Sequence, residues 1–507
     1  MHLLVTTIAS VTLTLMSFAA TADTGERLPE PEQSELELRA IQHQQVLRLI
    51  DEQRFTQALG PAAEVVDSTR QIFGTDSPEL IVPLLNLASI QRRTSNYESA
   101  RENFSECVRL IDKHYGILDE RLIRPLAGLA DIYNLVGRHD LAALAYERAL
   151  SVSHANKGFY NLDQVTLRDG LALSYQSLGD IDKANFHMKA QVYVHEYRFG
   201  EDSPKVIPSI YKVGAWYGKT GQPAEQLMAY RAAYKLGKTA EGDNDPDLIG
   251  TLRFVAQSYL EQPTASGANL KNLAERDINT NLVDKTDDQV SALEVRDGAS
   301  SALKRAIKIN EAQPEPDMLL QAELLTELAD VYTLFSEART ANKYYRRAWD
   351  LFAEQPDAVR LLEDYFGSPR RIGELDIPRV YPDNAETRQR LAENPEDFGN
   401  GYISVRFNVT STGGVKKLRV IEEYPAGVLT RKVKSGIRYA RFRPVRVDRE
   451  SVAVDGQTYR YEFRFDAGIR SEDNAGDDDF EPLPNPNKAA APEEDLDLEA
   501  EELETFE

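Results

Sequence analysis

A glycine recurs every 42 residues in the first half of this 507-residue chain: Gly74, Gly116, Gly158, Gly200 and Gly242. A second series on the same spacing runs Tyr133, Tyr175, Tyr217 and Tyr259, with Ala130, Ala172, Gly214 and Ala256 three positions before each. Upstream the grid reaches Gln91, preceded by Ala88, and then Leu49. Downstream the next copy is Tyr332 with Ala329, 73 residues on, which is one period plus an insertion of 31. A fixed period of this length implies a stacked array, in which one supersecondary unit per copy cannot bury its apolar face alone. The chain is also too long for one hydrophobic core.

The copy "LADIYNLVGRHDLAALAYERAL", residues 129–150, gives the unit. Leu129, Ala130 and Tyr133 form one stripe at helical spacing, and Ala142, Tyr146 and Ala149 form a second after Gly137. Two amphipathic helices therefore meet at a tight turn, with Ala130 and Ala142 allowing close approach. The 42-residue glycine stops the second helix. Asp76-Ser77-Pro78 and Asp202-Ser203-Pro204 then supply a cap and a proline for the next start. These positions resemble the tetratricopeptide repeat in its 42-residue form, like that of kinesin light chains. The resemblance covers residues 36–354 in seven copies and returns at Leu328, Ala329, Tyr332, Ala341, Tyr345 and Ala348. It implies a superhelix of about seven helix pairs whose concave side binds peptides or protein partners. The insertion falls at about 263–297, with Ala299, Leu303 and Ala306 resuming the pattern.

After a linker at 355–374 the period changes to two. Ile403, Val405, Phe407 and Val409 alternate with polar residues, Gly413-Gly414 turns the chain, and Leu418 and Val420 continue on the return. Val428, Leu429, Val433 and Ile437 follow at helical spacing, and Tyr459, Tyr461, Phe463 and Phe465 alternate in a last strand. This order predicts a small α+β module, residues 375–467, with a three-stranded antiparallel sheet and one helix.

Pro378 with Tyr381-Pro382, the Val405–Val409 strand leading into Gly413 and Val415, and Ala440-Arg441-Phe442-Arg443-Pro444 resemble the C-terminal domain of TonB-type energy transducers. Two departures stand out: the glycine usual after the Phe-x-Pro element is replaced near Arg449-Glu450, and the last strand is rich in arginine. The resemblance implies that a partner's extended segment adds to the sheet edge. In this chain that edge would be Thr458, Tyr459, Arg460, Tyr461, Glu462, Phe463, Arg464 and Phe465, with Pro378, Tyr381 and Pro382 beside it. Unpaired backbone groups would supply affinity and alternate side chains selection. Arg460 and Arg464 either favour an acidic partner or are a solvated face.

The N-terminus holds an uncharged apolar run, Leu3 to Ala20, ending in Ala20-Thr21-Ala22. This reads as an export signal over residues 1–22, followed by a linker at 23–35, or as a retained inner-membrane anchor. Export places the chain in the periplasm or cell envelope. Charge is uneven within a net of −23. Residues 471–507 hold fifteen acids against one lysine, whereas residues 399–470 hold fifteen Lys or Arg against seven acids. Composition predicts disorder for the tail, 468–507, and the tail could cover the basic module.

Other signals are weak. Cys107 is the single cysteine, so there is no internal disulfide and no thiolate metal cluster. The seven histidines lack zinc-site spacing. In "GDNDPDLIG" Leu248 stands where a calcium loop needs glycine. With no nucleophile elbow, dinucleotide fingerprint or phosphate loop, no catalytic residue, cofactor or metal is expected, and the chain is not read as an enzyme. Arg431–Arg449 is basic, but the export signal argues against nucleic acid. Two functions stay open: an envelope adaptor whose TonB-like module captures a partner strand, from an outer-membrane receptor in the transport case, or an exported scaffold for envelope assembly without energy coupling.

Overall fold

The computed structural model describes residues 33–262, 291–373, 375 and 377–466. The expected export signal, most of the insertion and the acidic tail lie outside these residues. Among the described residues no helix is long and apolar enough to cross a membrane. The chain divides into two compact units, residues 1–194 and 195–507.

Antiparallel helix pairs follow the 42-residue grid. In the first unit they are α1 (Gln33–Asp51) with α2 (Phe55–Phe73), α3 (Ile81–Arg93) with α4 (Tyr97–His114), α5 (Ile123–Leu135) with α6 (His139–Lys157), and α7 (Gln164–Ser177) with α8 (Ile181–Phe199), within which the unit ends. The second unit continues with α9 (Ile207–Lys219) and α10 (Pro223–Glu241), α11 (Leu248–Leu260) and α12 (Ala292–Glu311), and α13 (Met318–Leu334) and α14 (Ala338–Ala353). The five grid glycines all have positive φ, from 80° to 102°, which explains glycine after the second helix of the first five pairs, whereas α12 and α14 are followed by Ala312 and Glu354 in the right-handed conformation. At the turn inside six of the seven pairs, all but α11 with α12, Gly137, Gly179 and Gly221 share the left-handed conformation with Gln53, Ser95 and Ser336, so this second joint keeps its geometry where glycine is absent. Ser77 and Ser203 cap short 3-10 turns, Pro78–Leu80 and Pro204–Val206, that lead into α3 and α9.

Close packing between copies uses glycine against an aromatic ring. Phe104 of α4 lies over Gly128 of α5, and one period later Tyr146 of α6 lies over Gly170 of α7. A Cβ at Gly170 would sit 2.1 Å from Tyr146 Cζ.

Two sequence boundaries and the strand count need correction. Helix α12 begins at Ala292 with a Ser291–Glu294 capping box, inside the interval assigned to the insertion. Its first turns, "ALEVRDG", bury only Val295 and leave Leu293 exposed, so they carry no helical stripe before Ala299. The interval expected as a linker, 355–374, carries α15 (Ala358–Phe366), whose Phe366 is buried in the same core as Tyr345 and Phe352, and then β1 (Arg370–Ile372). The sheet has four strands rather than three, in the order β2 (Val380–Tyr381), β8 (Val454–Asp466), β3 (Phe398–Val409), β4 (Val415–Tyr424), and β2 runs parallel to β8. Two residues ending at Pro382 carry no period-two signal, so β2 is invisible in the pattern.

The remaining elements are α16 (Ala385–Glu393), α17 (Thr430–Tyr439), β5 (Arg441–Arg443), β6 (Val445–Val447) and β7 (Glu450–Val452). Strand β5 pairs with β1 and β6 with β7. Helix α17 lays Val433 and Ile437 on the sheet face made by Ile403, Val405, Phe407, Tyr461, Phe463 and Phe465.

Replacing glycine by alanine inside a helix ordinarily gains about 1 kcal/mol. Gly170→Ala should instead cost about 1–3 kcal/mol in urea unfolding, because the Tyr146 ring it meets is buried and its hydroxyl is held by Asp131. A gain would show that the inter-copy joint is loose.

Candidate functional site

The period-two pattern of the last strand orients β8 with Tyr461, Phe463 and Phe465 buried and Thr458, Arg460 and Glu462 exposed. Strand β3 covers one edge of β8 from Val454 to Asp466. On the other edge β2 reaches only Arg464 and Phe465, with the Arg464 amide donating to Arg379 O at 2.9 Å. Backbone groups of alternate residues point to one edge. Thr458, Arg460 and Glu462 therefore present N–H and C=O groups on the same side as Arg464, and among the described residues no strand pairs with them there. Pro378, Tyr381 and Pro382 stand at the closed end of this edge, and Tyr461 Oη donates to Ile377 O at 2.9 Å.

The two arginines of the strand differ in state. Arg464 is spent internally: its Nη2 donates to Phe398 O at 2.9 Å and to Pro395 O. Arg460 stays exposed, stacked 3.6 Å from the Tyr402 ring centroid and 3.4 Å from Glu462. The opposite sheet edge, β4, carries Lys416, Lys417 and Arg419 and two register shifts against β3, features that discourage strand addition.

A charged junction ties this sheet to the last helix pair. Arg443 on β5 is 6% exposed and grips Asp330 of α13 in a fork, Nε to Oδ1 at 3.0 Å and Nη2 to Oδ2 at 2.6 Å. Tyr345 of α14 donates to the same Oδ1 at 2.7 Å, and burial with the Asp330 charge pushes its hydroxyl well above the usual tyrosine range. Arg446 donates to Asn342 Oδ1 at 2.9 Å and Ser451 Oγ at 2.7 Å, and burial pulls its pKa down to about 10. Arg449 meets Asp350 at 2.8 Å, and Arg441 meets Ser336 at 3.1 Å. Much of the basic stretch 431–449 thus faces the repeat, a role that charge counting could not reveal.

Asp330 repeats Asp131, which also stands two residues before the grid tyrosine. In the first unit Asp131 accepts from Tyr146, and Arg92 Nη1 approaches it at 3.0 Å. Arg443 thus supplies to the last copy what a neighbouring repeat supplies to an internal one.

Beside the junction lies a cavity of about 430 Å³ lined by Arg253, Phe254, Gln257, Leu303, Glu327 and Ile372. Arg253 bridges Glu327 and Glu323, and burial raises the Glu327 pKa despite this partner. Glu241, the last residue of α10, holds a carboxylate oxygen within 4.8 Å of those of Asp245 and Asp247 in the calcium-like loop, and Asp245 Oδ1 accepts from the Asp247 amide at 2.8 Å. The helix that follows, α11, starts after Asp247 without a side-chain cap bond from it. Cys107 is fully buried in the first unit, and burial pushes its thiol up.

Residues 79–155, spanning α3 to α6, match the sequence model of the tetratricopeptide repeat. Residues 79–155 carry tetratricopeptide repeats. Similar solved structures include the nearly identical repeats of a putative kinesin light chain of Podosopora anserina, at 16% identity and TM-score 0.37, covering 41% of this chain and 99% of that one. BtubC from P. vanneervenii is similar at 19% identity and TM-score 0.34, over 52% of this chain and 95% of that one. The C-terminal part of a tetratricopeptide-repeat-containing protein of Cytophaga hutchinsonii is similar at 12% identity and TM-score 0.38, over 62% of this chain and 98% of that one. Comparison with curated proteins finds no match. Tetratricopeptide repeats suit a chain to protein–protein interaction.

Asp330→Ala strands Arg443 in a buried site and should cost about 3–5 kcal/mol in urea unfolding. Asp131→Ala should cost less, because Arg92 is about 29% exposed and water can compensate it. Equal costs would remove the special standing of the junction.

Proposed function

We propose that this chain is a cell-envelope adaptor whose C-terminal module takes up an extended partner segment along the outer edge of β8. The observation that carries the reading is the run of outward backbone groups at Thr458, Arg460 and Glu462 next to the short stop provided by β2. A strand added there gains main-chain hydrogen bonds, and its alternate side chains are read by what flanks the edge. Arg460 favours an acidic residue, whereas Arg464 is already engaged with carbonyls and contributes little to selection. The resemblance to TonB-type domains extends this reading to coupling with an outer-membrane receptor, which requires the N-terminal segment to stay in the inner membrane.

The second reading is an exported scaffold in which the module only finishes the repeat array. It is favoured by one observation, the burial of Arg443 and Arg446 against the last helix pair. Both readings place the chain in the envelope and give it no catalytic role.

Peptides selected by the full chain from a random library of extended segments test the first reading. Arg460→Pro removes an outward N–H donor and should weaken the selected peptides at least tenfold, while Lys416→Pro on the other edge should not. Equal loss from both variants, or none from Arg460→Pro, would favour the scaffold. Sequencing the mature N-terminus adds a separate check, since a start near Asp23 excludes direct force transmission.

A further inference from the structure

The side of the sheet away from α17 carries an arrangement that the fold does not need. Arg406 of β3 stands directly opposite Arg419 of β4, and both side chains are exposed. Like charges at opposed positions of an antiparallel pair are destabilising. Lys416 lies on the same face, opposite Asn408, and Arg460 lies there too, opposite Ser404.

The acids of this face are already committed. Glu462 sits beside Arg460, Glu422 accepts from Tyr402 Oη at 2.7 Å, and Asp455 accepts from Asn408. Among the described residues no carboxylate forms an ion pair with Arg406, Lys416 or Arg419. Three uncommitted cations therefore cluster on a sheet face whose strand β8 ends at Asp466, where 41 further residues begin.

We propose that this cationic face is an intrachain docking surface for the chain's own acidic segment, residues 471–507. The segment has fifteen acids and one lysine, the complement of the face. Its attachment is favourable as well. Arg406 pairs in register with Thr458, eight residues back along β8 from Asp466, which is about 26 Å. Asp477-Asp478-Asp479 follows Asp466 by eleven residues and spans that distance when extended. Tethering at the edge of the same sheet gives a local concentration of order millimolar, so weak and salt-sensitive contacts suffice. Arg460 lies where this face meets the open edge of β8, so a docked segment competes with an acidic strand for the same cation. The inference concerns the face built by β3 and β4 and does not depend on strand capture at β8.

Zero-length carbodiimide coupling on the full chain tests it, because carboxylates of the segment then join the amines of Lys416 or Lys417. In a mixture of 14N- and 15N-labelled chains at low salt, the links should map to residues 471–507 and stay within one isotope. They should fall at least tenfold with Arg406→Glu plus Arg419→Glu, and likewise in about 0.5 M salt. Arg431→Glu plus Lys432→Glu, which alters α17 on the other side, should leave them unchanged. Three results would overturn the proposal: links that survive reversal of Arg406 and Arg419, links spread over lysines remote from this face, or links that join chains of different isotope. The last would assign the face to a second copy.

Discussion

The fork between Arg443 and Asp330 is the interaction on which the C-terminal half of the structure depends. Both charges are largely removed from water, which is costly unless geometry and secondary hydrogen bonds offset the loss. Here they do: Asp330 accepts from Arg443 and Tyr345, and Arg443 also donates to Tyr365 O. The pair is thereby specific in register. It fixes β5 against α13, and β5 in turn holds β1, the segment that enters from α15.

From this point the positions of the outer elements follow. The module is seated on the last repeat by arginines 441, 443, 446 and 449, so its sheet is not carried on a free linker. The edge of β8 and the face of β3 and β4 are left outside the seat. The basic module thus divides by function: Arg441, Arg443, Arg446 and Arg449 are structural, and Arg406, Lys416 and Arg419 on the open face remain available to an acidic group.

The repeat was legible in the sequence because its constraints are local and recurrent. Gly74 and its counterparts need positive φ, and small residues such as Ala130 recur where helices touch, so period alone places the helix pairs. The strands β3 and β8 were legible for the same reason, through alternation. What stayed hidden had no period: β2 is two residues long, α12 opens with a single buried position, Val295, before Ala299, and α15 is a single short helix whose Phe366 matters only through a tertiary core. The states of Arg464 and Arg443 were hidden too, since a cation's partner is set by the fold and not by its neighbours in sequence.

Native-state hydrogen exchange on the intact chain tests the seated module most directly. If the fork makes the last repeat and the module one cooperative body, amides of β5 and of α13 around Asp330 open with the same free energy and shift together in denaturant. If β5 and β1 exchange through a separate, much less costly opening while α13 stays protected, the module is merely tethered and the account fails.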